Sequence, residues 1–305
     1  MRAAIIDLGT NTCNLLIASV NSSDYKILHQ SKQLVKLGDD KIKANQISPE
    51  ATKRTINAFD IHKEIIKKYD VEKVRVLATS AVRSAENKIN FLEEASENSG
   101  WIVKLVSGEK EAELIFKGVS LAFESLDTPS VILDIGGGSN ELILTNNKEM
   151  IWKESQPTGM ARIINQFHIS DPIKTAESQQ IRTFFSAQHK EAFKKCREQN
   201  IQSLIGCSGA FDTIADIMDQ VDPGEKSRIT QEIPLSLFYD VYEKLINSTR
   251  EERIKMKGMD MVRVDLIVPA VILIEQLIKA AGIKQITQTD FALREGALYE
   301  LLHSN

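Results

Sequence analysis

The chain has 305 residues, enough for two domains of ordinary size; 42% of them are hydrophobic and 26% are charged. This composition is typical of soluble globular proteins and excludes disordered or fibrous ones. The net charge is -4 and the basic residues are scattered along the whole length, so we expect no nucleic-acid partner.

In chain order, the first half alternates predicted strands with predicted helices. Two apolar segments, 3–6 and 15–20, flank the polar DLGTNT and indicate a hairpin. Ser48 followed by Pro49 is a typical helix start. The pattern then predicts a helix to about 69, a strand at 74–78, a helix from about 86 to 98 stopped by Gly100, a strand at 102–106 and a helix from about 109 to 123. This alternation indicates an α/β sheet.

The opening pattern returns near residue 131. Setting Asp7 on Asp134 aligns AIIDLGTNTCNLLI with VILDIGGGSNELIL without gaps, at an offset of 127 residues. A repeat of that size indicates a duplicated domain rather than a solenoid, whose units are about 20–50 residues long. We therefore expect two related domains whose loops face each other.

The second half continues with a predicted strand around 150–154, helices through 175–199 and the strand-turn-helix pattern SLIGCSGAFDTIADI. The segments from about 234 to 281 and from 291 to 302 indicate mostly helix. The longest apolar run, 266–274, is well below the roughly 18 residues of a membrane span, so we expect a buried helix and no membrane partner.

The cysteines and histidines show no spacing typical of a metal site. The three cysteines, at 13, 196 and 207, have no CxxC pattern, so neither a disulfide framework nor a zinc site is indicated. The five histidines likewise show no ligand spacing. These features predict a protein of the reducing cytoplasm.

The loop DIGGGS, residues 134–139, is the most informative motif. Its missing Cβ atoms permit positive φ angles and let main-chain N–H groups approach an anion. No lysine follows the glycines and the next segment alternates like a strand, whereas a Walker or a dinucleotide-binding motif continues into a helix. The loop therefore predicts a hairpin that holds phosphate at Gly136, Gly137, Gly138 and Ser139, with a plain tight turn as the alternative.

Acidic and short polar residues accompany both loops. Asp134 and Glu141 are candidate magnesium ligands, because magnesium favours carboxylate, water and phosphate oxygens, and Asp7 is a candidate through water. The alternative is a pair of solvated carboxylates. Donors for further phosphate oxygens are expected from Thr10, Asn11 and Thr12.

Several motifs in one order resemble those of a known superfamily. IDLGTNT, LDIGGGSNEL and GCSGAFDTIA are similar to the phosphate and adenosine motifs of the actin, sugar kinase and heat-shock ATPase superfamily. Within it, ATSAVRSAEN, SGEKEAELI, PTGMAR and LREGAL resemble the Ppx/GppA family of exopolyphosphatases and guanosine pentaphosphate phosphatases. The resemblance covers essentially the whole chain.

The resemblance implies an α/β fold of two ribonuclease-H-like domains duplicated around a central cleft, in the short form without a C-terminal helical domain. The domains are expected at 1–126, completed by the C-terminal helix 291–305, and at 127–290. In this family the terminal phosphate of a phosphate chain is hydrolysed with magnesium. Whether manganese replaces magnesium is left open here. A homodimer is also left open.

The resemblance also assigns individual residues. Glu111 matches the catalytic glutamate, and from the sequence it lies in the first turn of a helix capped by Ser107, where the helix dipole favours an ionised carboxylate. Without the family, a routine N-terminal glutamate would be the preferred interpretation. Arg83 resembles the arginine whose guanidinium donates two hydrogen bonds to phosphate oxygens, and Asn87 is expected to support it. Weaker assignments fall on Glu109, Glu113, Arg162, Arg263 and Arg294.

The expected activity is a magnesium-dependent exopolyphosphatase in which water activated by Glu111 attacks the terminal phosphate. The nearest alternative is a phosphatase of guanosine pentaphosphate. Cys207 and the bulky Phe211 in the third motif are expected to narrow a nucleoside pocket, as is Ala270, and this favours inorganic polyphosphate. A small-molecule kinase and a sensor that binds polyphosphate or an alarmone without catalysis remain as further alternatives.

Overall fold

The structure, a computed structural model, describes residues 1–21, 24–38 and 45–303. The chain divides into two compact units, Met1–Gly118 with Leu293–Asn305 and Val119–Ala292. They are called the first and the second unit below.

Each unit is built on one mixed sheet. The first sheet has the strand order β3-β2-β1-β4-β5, with strands at Arg2–Leu8 (β1), Thr12–Val20 (β2), Tyr25–Leu34 (β3), Lys73–Ala78 (β4) and Val103–Leu105 (β5). The second has the order β10-β11-β9-β6-β7-β8, with strands at Ser130–Ile135 (β6), Asn140–Asn146 (β7), Glu149–Gln156 (β8), Ser203–Cys207 (β9), Thr230–Ile233 (β10) and Gln285–Thr289 (β11).

The helices of the described residues connect and cover these strands. They are Pro49–Lys68 (α1), Ser80–Ser84 (α2), Lys88–Ser99 (α3), Gly108–Ala122 (α4), Met160–Gln166 (α5), Thr175–Gln188 (α6), Lys190–Glu198 (α7), Gly209–Asp219 (α8), Leu235–Ile246 (α9), Arg250–Ile254 (α10), Ile267–Ala281 (α11) and Leu293–Leu302 (α12). None of them is long and apolar enough to cross a membrane.

The predicted duplication is confirmed by the strand pairing. β1 pairs antiparallel with β2 and parallel with β4, and β6 pairs in the same way with β7 and β9. A third antiparallel strand, β3 or β8, follows each hairpin. The two sheets therefore share one topology, as the sequence repeat indicates.

Local signals in the sequence explain the predicted helices. The Ser48 side chain accepts a hydrogen bond from the Ala51 N–H at 3.2 Å, and Pro49 opens α1. Gly100 adopts a left-handed φ of 72° directly after α3. The apolar run at 266–274 forms a buried helix, because every α11 residue from Ile267 to Glu275 is buried.

Strands β3, β10 and β11 and helices α2 and α5 were not predicted. The β11 sequence, QITQT, contains one apolar residue, yet Gln288 and Thr289 are fully buried between β9 and β10. The hydrogen-bonded neighbours on both sides make this polar segment a strand. Tertiary context thus overrides a weak local pattern here.

The glycine of LREGAL has a packing role in the first unit. A Cβ added to Gly296 would lie 1.7 Å from the Leu114 carbonyl oxygen, so α12 packs directly on the backbone of α4. This contact fixes the position of α12 on the helix that carries Glu111.

We predict that Gly296→Ala lowers the free energy of unfolding by about 3 kcal/mol or more, because the backbones must separate. Urea unfolding measures the change. Gly100→Ala is the matched control: its φ is 72° with no atom within 4 Å of the added Cβ, so only about 1 kcal/mol of strain is expected. Equal losses in both variants would contradict close packing at Gly296.

Candidate active site

Both hairpin loops close with the same hydrogen bond. The Gly9 N–H donates to the Thr12 carbonyl at 2.9 Å, and the Gly136 N–H donates to the Ser139 carbonyl at 2.9 Å. A Cβ on Gly136 would lie 2.7 Å from the Ser139 oxygen, and on Gly9 it would lie 3.3 Å from the Thr12 oxygen. The glycines therefore permit a tight closure in both units.

The glycine loop does not use the positive φ angles that glycine permits. Among the described glycines, positive φ occurs at 100, 224, 258 and 282, and not at 136–138. At Gly136, the close approach of the neighbouring Ser139 backbone, rather than a left-handed conformation, excludes a side chain.

The carbonyl groups of the glycine loop are all turned to one side. Those of Gly136 and Gly137 accept from the N–H groups of Met160 and Ala161 at 3.0 and 2.9 Å, and that of Gly138 accepts from Arg162 Nε at 2.8 Å. The loop thus satisfies the N–H groups at the start of α5, which a helix cannot satisfy itself.

This arrangement determines where the loop N–H groups point. In a trans peptide the carbonyl and the following N–H lie on opposite sides, so the N–H groups of Gly137, Gly138 and Ser139 are directed away from α5. Within the part of the chain that the structure describes, none of the three donates to a protein acceptor. Three adjacent donors directed to one side suit an anion such as phosphate.

Gly159, in PTGMAR, makes this arrangement possible. A Cβ there would lie 2.4 Å from the Gly137 carbonyl carbon and the Gly138 nitrogen. The motif was noted in the sequence, but helix α5 and its contact with the loop were not predicted. Spacing along the chain gives no signal for a contact between backbones.

The first loop is anchored in a comparable way. The Thr10 carbonyl accepts from the Leu37 N–H at 2.7 Å, and the Asn11 carbonyl accepts from the Val35 and Lys36 N–H groups at 3.0 Å. The Asn11 N–H is consequently directed away from the segment 35–37. Thr10 is buried, whereas Asn11 and Thr12 are partly exposed.

The candidate metal ligands of the second unit form a cross-strand pair. Asp134 and Glu141 are directly opposite in the β6–β7 register, where side chains lie on one face about 5 Å apart. Glu141 is 2% exposed and accepts from Ser155 Oγ at 2.7 Å. Like charges placed opposite are unfavourable unless a cation or a proton lies near them.

The corresponding pair in the first unit is different. Asp7 is opposite Asn14, whose Nδ2 donates to Asp7 Oδ2 at 3.2 Å. One unit thus pairs an acid with an amide, and the other pairs two acids. No group of three or more His, Cys, Asp or Glu side chains in the described residues is arranged as a metal cage. Two carboxylates fit magnesium, which binds one or two and keeps waters and phosphate oxygens as its other ligands.

Asp7 is electrostatically unusual. Burial raises the pKa of Asp7 to about 6, while the Asn14 hydrogen bond and Arg294 lower it in part and Glu295 raises it. Perturbed carboxyl groups of this kind are common at functional sites.

Glu111 and Arg83, both in the first unit, are in direct contact. Arg83 Nη1 donates to Glu111 Oε2 at 2.8 Å and to the Val106 carbonyl at 3.0 Å. Glu111 is 7% exposed, and the Ser107 hydroxyl accepts from the Lys110 N–H at 3.2 Å, which confirms the predicted cap of α4. Arg83 Nε and Nη2 have no acceptor among the described residues, so these two guanidinium nitrogens are available to a ligand.

The weaker assignments have mixed outcomes. The Asn87 side chain bonds to both backbone groups of Ile47, at 3.0 and 2.9 Å, and so fixes the chain before α1 rather than supporting Arg83.

The other weakly assigned residues have protein partners. Glu113 Oε2 lies 3.5 Å from Lys110 Nζ. A Cβ on Gly209 would meet the Arg263 guanidinium at 2.5 Å, which places Arg263 at the start of α8. Arg294 pairs with Glu295 at 3.5 Å.

The expectation that the third motif narrows a nucleoside pocket is wrong. Cys207 and Phe211 are both 0% exposed, and the Phe211 ring packs against Gly206. Ala270 is also buried, within α11. These residues belong to the core and expose no side-chain surface that a ligand could contact.

A sequence profile of the Ppx/GppA phosphatase family matches residues 16–305. The chain belongs to the Ppx/GppA phosphatase family. The resemblance seen in its motifs is thereby confirmed.

Relatives extend this comparison over nearly the whole length. The crystal structure of an exopolyphosphatase from Cytophaga hutchinsonii is 34% identical, has a TM-score of 0.94 and covers 99% of this chain and 98% of its own. Exopolyphosphatase 2 of Mycobacterium tuberculosis is 27% identical over 314 residues, 98% of this chain and 98% of that protein. The Aquifex aeolicus Ppx/GppA family member is 22% identical with a TM-score of 0.83, covers 99% and 97%, and supports the fold. The predicted fold of two α/β domains, each with its own sheet, is confirmed.

We predict that Asp7 makes the stability of this Ppx/GppA protein depend on pH. With a folded pKa of about 6 and an unfolded value near 3.8, its contribution is most favourable below pH 4 and is lost as the pH rises through 6. Asp7→Asn should therefore stabilise the protein more at pH 7 than at pH 4.5, as urea unfolding would measure. Asp60→Asn, an exposed site in the same unit, is the control. A pH profile unchanged by Asp7→Asn would refute the assignment.

Proposed function

We propose that the protein is a hydrolase of phosphoanhydride bonds, and specifically an exopolyphosphatase that releases orthophosphate from the end of inorganic polyphosphate. Membership of a phosphatase family supports the reaction class. Two relatives named exopolyphosphatase, 34% and 27% identical, support the substrate.

One observation carries the proposal, the backbone of residues 136–139. Three successive N–H groups are directed to the side opposite α5, and the carbonyl groups that would repel an anion are bonded to α5 and Arg162. In the proposed reaction these N–H groups hold phosphoryl oxygens. Gly138 and Ser139 are buried, so unsatisfied donors there are costly and a phosphate oxygen would remove that cost.

Glu111 is the proposed general base. It accepts a proton from the attacking water, while Arg83 Nε and Nη2 bind a phosphoryl oxygen. Phosphoryl transfer depends mainly on placement and on electrostatic stabilisation, so no nucleophilic cysteine or histidine is required. The direct Arg83 contact holds the Glu111 carboxylate in one orientation.

Magnesium is the proposed cofactor, held by Asp134 and Glu141. When bound, it supplies positive charge that offsets the charge of the phosphate chain. The opposed pair of acids in the second unit supports this, because two carboxylates on one face of a sheet supply the oxygen ligands that magnesium prefers. Manganese remains an alternative.

Orthophosphate release distinguishes the candidate functions. Long-chain polyphosphate, tripolyphosphate and guanosine pentaphosphate would be tested as substrates with magnesium, with manganese and with neither metal. Release from polyphosphate that requires a divalent cation is expected. Release only from guanosine pentaphosphate would favour the alarmone phosphatase. Transfer to an acceptor instead of water would favour a kinase, and binding without release would favour a sensor.

We predict that Glu111→Gln lowers kcat at least 100-fold while polyphosphate still binds, because the amide cannot accept the proton but keeps the shape. Steady-state assays and equilibrium binding measure the two effects. Glu109→Gln changes an exposed acid in the same helix turn and should keep kcat. A Glu111→Gln protein with most of its activity would eliminate Glu111 as the base.

We predict that Glu141→Gln raises the magnesium concentration needed for half-maximal activity about tenfold or more, since it removes one of two carboxylates. Activity is measured against magnesium concentration. Glu149→Gln, at the start of β8, removes an exposed acid from the same sheet and is the control. An unchanged magnesium requirement in Glu141→Gln would exclude that residue as a ligand.

A further inference from the structure

A buried polar chain of four side chains lies beside the glycine loop. Asn140 Nδ2 donates to the Thr158 carbonyl and hydroxyl oxygens at 2.7 and 3.0 Å. The Thr158 hydroxyl lies 3.1 Å from His189 Nε2, and His189 Nδ1 lies 2.7 Å from Glu154 Oε1. Asn140 and His189 are 0% exposed and Thr158 is 1% exposed.

The hydrogens of this chain can be placed by elimination. The Glu154 carboxylate only accepts, so His189 Nδ1 donates to it, and in the tautomer with its hydrogen on Nδ1 the Nε2 atom accepts from the Thr158 hydroxyl. That hydroxyl in turn accepts from Asn140, whose Nδ2 also faces the Thr158 carbonyl and cannot be exchanged with Oδ1. In this tautomer each side chain donates to the next, from Asn140 to Glu154.

The chain connects the two segments that hold the loop. Asn140 directly follows Ser139 at one end of the glycine loop. Thr158 directly precedes Gly159 and Met160, which contact the loop backbone at Gly137 and Gly136. Both segments are thus joined through the carbonyl and hydroxyl oxygens of Thr158, and His189 fixes the hydroxyl.

We propose that His189, through Thr158 and Asn140, is a positioning residue that keeps the N–H groups of residues 137–139 in the geometry that binds phosphate. This inference rests on the proposed function of the loop as a phosphate site. In this proposal His189 does not contact phosphate. It influences the orientation of the loop peptides through Thr158 and Asn140.

Packing alone does not explain a histidine at this position. Its ring lies between Phe185 and Phe193, at centroid distances of 6.2 and 6.0 Å, so an aromatic ring without nitrogens would fill the same space. Replacing it by phenylalanine removes both hydrogen bonds and retains the aromatic contacts. The substitution therefore separates orientation of the loop from filling of the core.

The test compares His189→Phe, Thr158→Val and the double variant with the wild type. Binding of imidodiphosphate, which is not hydrolysed, is measured with magnesium by calorimetry, and amide hydrogen exchange is followed in peptides that cover residues 136–139. KM and kcat for polyphosphate are measured in parallel. Thr158→Ser keeps the hydroxyl and tests rescue, and Leu245→Ala, a buried site in α9, controls for lost stability.

We expect each single variant to bind imidodiphosphate about tenfold more weakly or worse, with faster exchange in the loop and a larger effect on KM than on kcat. The double variant should be no worse than the singles, because both interrupt one chain. Thr158→Ser should resemble the wild type, and Leu245→Ala should lower the melting temperature without weakening binding.

Wild-type affinity and loop exchange in His189→Phe, or losses that add in the double variant, would overturn the inference. So would a wild-type protein that does not bind imidodiphosphate. If the wild type binds it but releases no orthophosphate from any substrate, the proposed function fails while the positioning role is still judged by binding and exchange.

Discussion

The arrangement of the second unit's site depends on hydrogen bonds between the carbonyl groups of the glycine loop and the start of α5. They satisfy Met160 and Ala161, whose N–H groups would otherwise lack partners at the helix start. Because each peptide is planar and trans, the same bonds direct the N–H groups of residues 137–139 away from α5. One set of contacts thus caps the start of α5 and leaves a row of N–H donors on the other side of the loop.

The duplicated fold shows which features the two units share and which they do not. Both close their loops with a bond between matching glycine and Thr12 or Ser139 positions, and both turn loop carbonyls toward their own packing partner. The residue opposite the strand-end aspartate differs, asparagine in the first unit and glutamate in the second. This single difference places two carboxylates opposite each other in the second unit and only one carboxylate in the first.

Much of the fold could be predicted from the sequence, because the repeat, the caps of α1 and α4 and the apolar periodicity are local signals. Strand β11 could not, since its polar residues become strand only between two neighbours. For the site, motif resemblance selected Arg83 and Glu111, which the structure brings into contact. The role of Gly159 and the His189 chain were missed, because they depend on contacts between segments distant in sequence. Phe211 was misinterpreted because bulk was equated with exposure.

Under the proposed function, the loop at 136–138 binds phosphate through main-chain groups rather than side chains. A substitution removes no binding group; it only adds atoms that collide, at Gly136 with the Ser139 oxygen. An alanine scan across this stretch would therefore measure steric tolerance, and the chemistry of recognition would be read more directly by replacing amide bonds with esters.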